Sequence, residues 1–197
     1  MSFLSKLFGQ NEYIDCPRCL EEIVVSKDKI TPNATVRCDE CNFQIPPEYA
    51  KRFQDAYPVF IQLFGWSAVG KTTFLDVLRL MLYLHPIWPS FTCDPITELD
   101  FAHKAVLLDQ RRNGKRPNST KARERDQNKP YIMLLNDMHR WQSRFLVMMD
   151  HAGEQFQKFT VPEGEIPFLQ HCPTTIMLYS LTDRQRGKQL EDLMITY

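Results

Sequence analysis

Apolar and polar positions change their pattern near residue 55 of this 197-residue chain. Residues 13–50 are rich in turn-forming residues and poor in large aliphatic side chains, so this stretch needs a staple to fold. From residue 57 onward, apolar runs alternate between the lengths typical of strands and of helices, which indicates an α/β domain. The pattern therefore predicts a small unit at 13–50 and a larger one at 57–197.

Two elements of the larger unit follow from its first apolar runs. Val59–Phe64 is apolar except for Gln62 and lies between a proline and a glycine, which predicts a buried strand. Lys71–Leu84 predicts a helix that ends before Pro86. The broad apolar face of this helix comprises Phe74, Leu75, Val77, Leu78, Met81 and Leu82.

A second helix is predicted at about residues 95–112. Asp94 has the side chain of an N-cap, and Pro95 suits the first helical position. The apolar spacing of a helix then continues to a polar stop that ends at Gly114. Residues 114–129 are polar and predict a long loop.

The remaining elements are mainly strands. Tyr131–Leu135 and Arg144–Asp150 predict an antiparallel hairpin, with Asn136 and Asp137 as candidate turn residues. Thr174–Leu181 predicts a further strand, and a helix is expected to begin near Asp183.

Charge and cysteine usage narrow the functional classes. The chain has 24 basic and 24 acidic residues, so its net charge does not favour nucleic acid or an acidic membrane surface. No apolar run is long enough to span a membrane. The sequence shows no secretion signal, and four of its six cysteines form two Cys-x-x-Cys pairs. This pattern predicts a cytoplasmic protein with a metal site rather than a disulfide framework.

The four paired cysteines predict a structural zinc ribbon. Each Cys-x-x-Cys turn places two thiolates on one side of a tight knuckle, and two knuckles complete a tetrahedral Zn²⁺ site without an open position. The alternatives are two disulfides or free thiols. Acidic residues outnumber basic ones in this segment, which disfavours nucleic acid and favours contact with a protein partner. The predicted ligands are Cys16, Cys19, Cys38 and Cys41.

A complete phosphate-binding motif, G-x-x-x-x-G-K-[ST], lies between the first predicted strand and helix. Its backbone N–H groups and the helix N-terminus would face the phosphates of a nucleoside triphosphate. Lys71 would reach the β- and γ-phosphates, and the Thr72 hydroxyl would bind Mg²⁺. The candidate nucleotide-binding residues are Gly65, Trp66, Ser67, Ala68, Val69, Gly70, Lys71, Thr72 and Thr73.

With Asp150-x-x-Gly153 after a buried strand, the chain resembles the P-loop GTPases of the translation-factor and Ras-like class. That resemblance implies a three-layer α/β/α fold whose sheet is mostly parallel, with one antiparallel strand. It also implies that Asp150 holds Mg²⁺ through water from the strand beside the phosphate loop. The Gly153 N–H would contact the γ-phosphate, and the residues after it would form a switch loop.

The resemblance also suggests catalytic residues. Glu154 stands where related proteins often carry the glutamine that positions the attacking water, so it would orient water or act as a base. Thr120 is the candidate threonine of the first switch. Lys71, Glu154 and Thr120 are thus the catalytic candidates for GTP hydrolysis, while the basic run at 111–129 is expected to be a solvated loop.

Guanine recognition rests on the resemblance alone, because no N/T-K-x-D motif follows Asp183. ATP therefore stays an alternative nucleotide, with an ATPase or kinase activity. Another alternative is a zinc-ribbon interaction module that binds nucleotide without turnover. The family's later strands are also missing, which suggests a truncated chain. The edge of the strand at 174–181 would then be covered by a partner protein or a second copy in a dimer.

Overall fold

The computed structural model describes residues 11–26, 36–65, 69–84, 88–114, 129–140, 142–150 and 171–178, without the side chains of Asn11 and Asp150. The elements in these ranges are, in chain order, β1 (Asn11–Asp15), β2 (Glu22–Ser26), β3 (Val36–Arg37), β4 (Gln44–Ile45), α1 (Pro47–Arg52), β5 (Pro58–Phe64), α2 (Lys71–Leu84), β6 (Thr92–Pro95), α3 (Glu98–Arg112), β7 (Tyr131–Met138), β8 (Gln142–Asp150) and β9 (Thr175–Met177).

A five-stranded mixed sheet forms the centre of the molecule, in the order β6-β7-β8-β5-β9. β5 pairs in parallel with both β8 and β9, whereas β7 is antiparallel to its neighbours β6 and β8. β7 therefore runs opposite to the other four strands. The predicted α/β character is confirmed, and so are the predicted strands at Val59–Phe64 and within 131–150.

The two faces of this sheet have different coverings. Because successive strand residues point to opposite faces, each strand contributes to two separate cores. One face packs against α2, and its buried residues are Leu63, Leu75, Phe91, Cys93, Tyr131, Met133, Leu135, Leu146 and Met148. The other face packs against the cysteine-containing segment and α1, and its central residues are Ile14, Ile23, Val25, Ile45, Tyr49, Phe53, Phe60, Ile132, Leu134, Phe145 and Val147.

The cysteine-containing segment therefore shares a hydrophobic core with the sheet. Tyr49 of α1 is fully buried, and its ring centroid lies 4.9 Å from that of Phe145 on β8. Its hydroxyl donates a hydrogen bond of 2.9 Å to the carbonyl oxygen of Asp15 at the end of β1. Gln54 makes a second link by donating to the Tyr13 carbonyl at 2.9 Å. In the described part of the chain, this segment and the short α1 lie where a third, helical layer was expected, so a three-layer α/β/α fold is not confirmed.

The predicted helix start at Asp94 and Pro95 is wrong. Both residues belong to β6, whose register on β7 pairs Asp94 with Leu134. Proline is tolerated there because β6 is an edge strand in the described sheet, where the N–H that proline lacks need not remove a hydrogen bond between strands. Thr97 caps α3 instead, since its hydroxyl accepts a 3.0 Å hydrogen bond from the Asp100 N–H.

The predicted hairpin turn at Asn136 and Asp137 is also wrong. Both lie within β7, and the turn is made by His139 and Arg140. Asp137 takes a left-handed φ of 53°, which aspartate tolerates better than most residues, and the register shifts after Leu135 as in a β-bulge. The Trp88 indole N–H donates to the carbonyl exposed by this bulge.

The helix α2 has the predicted bounds, but it faces the molecule in an unexpected way. Three members of its apolar face, Phe74, Val77 and Met81, are exposed. Asp76 and Arg79 are buried instead, together with Leu75. The other three members, Leu75, Leu78 and Leu82, do pack against the sheet. Arg79 is buried beside them because it has polar partners on α3 and the Tyr131 ring of β7.

Candidate functional site

The four predicted metal ligands come together in the folded chain. The sulfur atoms of Cys16, Cys19, Cys38 and Cys41 all lie within 4.8 Å of one another. The Cys16–Cys41 and Cys19–Cys38 sulfur pairs are each 3.6 Å apart, and all four cysteines are free rather than disulfide-bonded. The structure thus favours the metal-site prediction over the disulfide alternative for these residues.

The two knuckles that carry these cysteines have the same backbone geometry. In each knuckle the carbonyl oxygen of the first cysteine accepts a hydrogen bond from the backbone N–H of the fourth residue after it. The backbone N–H of the same cysteine donates to the carbonyl oxygen of the fifth residue after it. That fourth residue is left-handed, with φ of 67° at Leu20 and 55° at Asn42. The bonds, 2.9 or 3.0 Å long, run from Leu20 N to Cys16 O, Cys16 N to Glu21 O, Asn42 N to Cys38 O and Cys38 N to Phe43 O. Each turn thereby points its two thiols towards the other pair.

The electrostatics of the cluster favour a bound cation. Burial raises the pKa of the Cys16 thiol and raises that of Cys19 to about 12, because a thiolate is poorly solvated there. At Cys38 burial acts in the same direction, but hydrogen bonds from the Cys41 and Glu40 backbone N–H groups and from the Cys19 and Cys41 thiols together outweigh it and lower the pKa. A metal ion would replace the thiol protons and neutralise the clustered sulfurs.

The donor set fits a tetrahedral ion. Sulfurs about 2.3 Å from a zinc ion at the centre of a tetrahedron lie about 3.8 Å apart. The observed 3.6 Å separations need only a small expansion to reach that value. These four cysteines could therefore hold a metal ion such as zinc, and four protein ligands would leave no position for substrate.

The described part of the phosphate motif lies at the junction between β5 and α2. Gly65 follows β5 directly, and Lys71 and Thr72 are the first residues of α2. The Lys71 side chain is buried, and its ammonium nitrogen donates a 2.7 Å hydrogen bond to the Gly65 carbonyl oxygen. The first glycine and the lysine of the motif are thus in direct contact across the loop.

Asp150 is placed by strand pairing. It ends β8, which runs parallel to β5, and it is in register with Leu63. Since Leu63 is two residues before Gly65, the carboxyl end of β8 lies beside the start of the phosphate motif. Ligands of open α/β sheets bind at this end of the strands.

Several predicted residues lie outside the described residues. These are Trp66, Ser67 and Ala68 of the motif, Thr120 of the first switch, and Gly153 and Glu154 after β8. Within the motif, Val69, Gly70 and Thr73 are described, and Gly70 has a left-handed φ of 90° that suits glycine. The nucleotide roles of all these residues stay predictions.

Replacing Gly65 by alanine is expected to lower the free energy of unfolding by about 2 kcal/mol. Gly65 has a φ of 153°, and an added Cβ would lie 2.3 Å from the Leu178 carbonyl oxygen. The backbone must therefore shift between β5 and the end of β9. Urea unfolding of G65A beside G114A, whose added Cβ meets nothing within 4 Å, measures the packing part of this cost. Equal losses in both variants would show that the contact with Leu178 is unimportant.

A group of ionisable residues on α2 and α3, three of them buried and one partly exposed, was missed by the sequence analysis. Arg79 is fully buried, and its Nη2 lies 3.2 Å from Asp100 Oδ1. Its Nη1 lies 2.6 Å from Nδ1 of His103, whose Nε2 lies 3.6 Å from Asp76 Oδ1. We call Asp76, Arg79, Asp100 and His103 the interhelix network. The i, i+3 spacing of both pairs was the available signal, because it places each pair on one side of its helix.

No protein-family model, curated protein or solved structure matches this chain. None of the helices in the described ranges combines the length and hydrophobicity needed to cross a membrane. The functional interpretation therefore depends on the geometry of the two sites.

Proposed function

We propose that the chain is a nucleotide-binding switch protein that binds and hydrolyses GTP with Mg²⁺. The observation that carries this proposal is the position of Lys71. It begins a helix after a glycine-bounded loop, and that loop leaves a buried strand whose parallel neighbour ends in Asp150. This combination places one cation, helix N–H groups and one carboxylate-bearing strand end at the same edge of the sheet.

In this proposal Lys71 exchanges its present acceptor for a nucleotide. The Gly65 carbonyl holds the ammonium 2.7 Å away, so a β- or γ-phosphate oxygen would take over a hydrogen bond from a group already positioned. Thr72 would bind Mg²⁺, and Asp150 would hold the ion through water. Thr120, Gly153 and Glu154 would respond to the γ-phosphate and to its hydrolysis.

The substitution K71M tests the proposal, because methionine keeps the buried apolar part of the lysine side chain and removes its charge. We expect K71M to weaken binding of Mg²⁺–GTP at least 30-fold, as measured by calorimetric titration, since a charge-assisted hydrogen bond contributes about 2 kcal/mol. K51A, which removes an exposed lysine on α1, should bind like the unmodified chain.

Parallel titrations with ATP show whether the site prefers guanine or adenine nucleotides. Measurement of phosphate release shows whether the bound nucleotide is hydrolysed. Preference for ATP would replace the GTPase proposal with an ATPase or kinase. Binding that depends on Lys71, but without phosphate release, would favour the non-hydrolysing module. Absence of binding to both nucleotides by folded protein would refute the nucleotide site itself.

We further propose that the ion in the cysteine cluster is zinc and that its role is structural. The ribbon surface around the knuckles exposes Glu21, Glu22, Asp39 and Glu40, which suits a basic protein surface better than nucleic acid. A cytoplasmic location agrees with four free thiols but stays a prediction. The partner or second copy expected at the edge of 174–181 also stays a prediction, with β9 at one end of the described sheet.

A further inference from the structure

We propose that His103 is a proton-operated latch that holds α3 against α2. The attachment of α3 depends heavily on polar contacts, because Asp100 and Leu107 are the two buried residues of this 15-residue helix. Arg79 of α2 contacts both Asp100 and His103. A change in the charge of His103 would therefore act directly on the surface that joins the two helices.

The contact with Arg79 fixes the protonation state of His103. A guanidinium group has five N–H donors and no acceptor. Nδ1 of His103 lies 2.6 Å from Arg79 Nη1, so it must present a lone pair and not a proton. The ring proton then lies on Nε2, which faces Asp76 Oδ1 at 3.6 Å. This arrangement requires a neutral imidazole.

Arg79 cannot easily withdraw if His103 gains a proton. Its guanidinium carbon lies 3.9 Å from the centroid of the Tyr131 ring, and Asp100 holds its second nitrogen. Asp100 is fixed in turn, because its Oδ2 accepts from the Ile132 N–H at 3.2 Å and from the Thr97 hydroxyl at 2.7 Å. A proton on Nδ1 would therefore place two donors against each other, and His103 would be the group that moves.

Among the described residues, charged and titratable groups near His103 come from three elements. From α2 these are Arg79, which opposes a proton on Nδ1, and Asp76, which attracts an imidazolium. From β7 the Tyr131 ring lies 5.9 Å away. On α3 itself, Asp100 lies three residues before His103, and Lys104 follows it with its ammonium 4.5 Å from the Tyr83 ring centroid. The 2.6 Å contact with Arg79 is closer than the 3.6 Å contact with Asp76, so the docked position disfavours the added proton.

Solvent protons can reach this latch without unfolding of the protein. The His103 side chain is 23% exposed, whereas the side chains of Asp76, Arg79 and Asp100 are 0–3% exposed. Once released, the imidazole would be solvated and would bind a proton with the ordinary pKa of histidine, about 6.5. The open form therefore binds more protons than the docked form, so α3 is held at higher pH and released as pH falls below about 6.5.

Hydrogen exchange of the full chain tests this proposal. H103Q replaces the ring with a neutral amide that can accept from Arg79 and donate to Asp76 but cannot titrate. The measured quantity is the exchange rate of α3 amides in the unmodified chain divided by the rate in H103Q at the same pH. We expect this ratio to increase about tenfold when the pH is lowered from 7.5 to 5.5. Taking this ratio cancels the intrinsic pH dependence of exchange. H139Q, which alters an exposed histidine in the β7–β8 turn, should behave like the unmodified chain.

A ratio that does not change between the two pH values would overturn the latch. So would an equal response in H139Q and H103Q. If H103Q fails to fold, ¹⁵N spectra of histidine in the unmodified chain provide an independent test at pH 7.5. We expect His103 to carry its proton on Nε2, and a proton on Nδ1 would refute the proposal.

Discussion

Removing the zinc ion that we propose for the four-cysteine cluster is expected to lower the free energy of unfolding by about 5 kcal/mol or more, because structural zinc contributes its binding energy to folding. We expect the whole protein to be destabilised because the cysteine-containing segment and the sheet share one hydrophobic core. The segment that carries the cysteines covers the sheet face that includes Phe60, Phe145 and Val147. Without an ion, no bond would join the two knuckles, and their separation would expose that apolar face.

The measurement compares purified C41S with C172S. Cys172 lies outside the cluster and donates a 3.3 Å hydrogen bond to the Thr174 carbonyl, which a serine hydroxyl can replace. We expect one zinc per chain in C172S and a large loss of zinc in C41S, by elemental analysis. Thermal unfolding should show a lower midpoint in C41S only, and a hydrophobic dye should bind it. Cobalt replacing zinc should give the absorption spectrum of a tetrahedral sulfur site.

Two results would contradict this prediction. Full stability of C41S after metal removal would show that the cysteines contribute only core packing. Retention of zinc in C41S would show that the thiol of Cys41 is not needed. In either case the nucleotide proposal would be unaffected, because its test depends on Lys71 at the start of α2, and α2 packs on the opposite face of the sheet from the cysteine-containing segment.

Local sequence patterns were sufficient to predict the elements in which pairing with distant segments does not override the local signal. The apolar run of β5 and the helical spacing of α2 predicted these elements, and α2 has the predicted bounds Lys71–Leu84. The Cys-x-x-Cys pairs likewise predicted the cluster, because two such turns have few ways to arrange four thiols. In these cases the signal lies within one element or one short turn.

The errors occurred where pairing between distant segments overrides local chemistry. Asp94 and Pro95 have the residue types of a helix start, but pairing with β7 makes them a strand. Asp137 has the residue type of a turn, but it forms a bulge instead. The burial of Arg79 could not be predicted from α2 alone, because its carboxylate partner, Asp100, is 21 residues away on another helix.

This dependence of Arg79 on Asp100 leads to the second large effect. We expect D100A to lower the free energy of unfolding by about 4 kcal/mol, because it leaves a fully buried guanidinium without its ion-pair partner. The carboxylate has additional roles, since it also accepts from the Ile132 N–H and the Thr97 hydroxyl. Denaturant unfolding of the full chain measures the loss. D109A, which removes an exposed carboxylate from the same helix, should change stability by less than about 0.5 kcal/mol.

A double-mutant cycle separates the interaction energy of the Arg79–Asp100 charge pair from the packing contribution of the two side chains. R79M should also be destabilising because it leaves Asp100 buried and unpaired, whereas R79M combined with D100L removes both charges and keeps apolar volume. The double variant should therefore be more stable than the sum of the single losses predicts, since buried ion pairs can be replaced by apolar residues at little net cost. Additive losses would mean that Arg79 and Asp100 act independently. The burial of Arg79 on a helix that leaves Phe74, Val77 and Met81 exposed would then need a different cause.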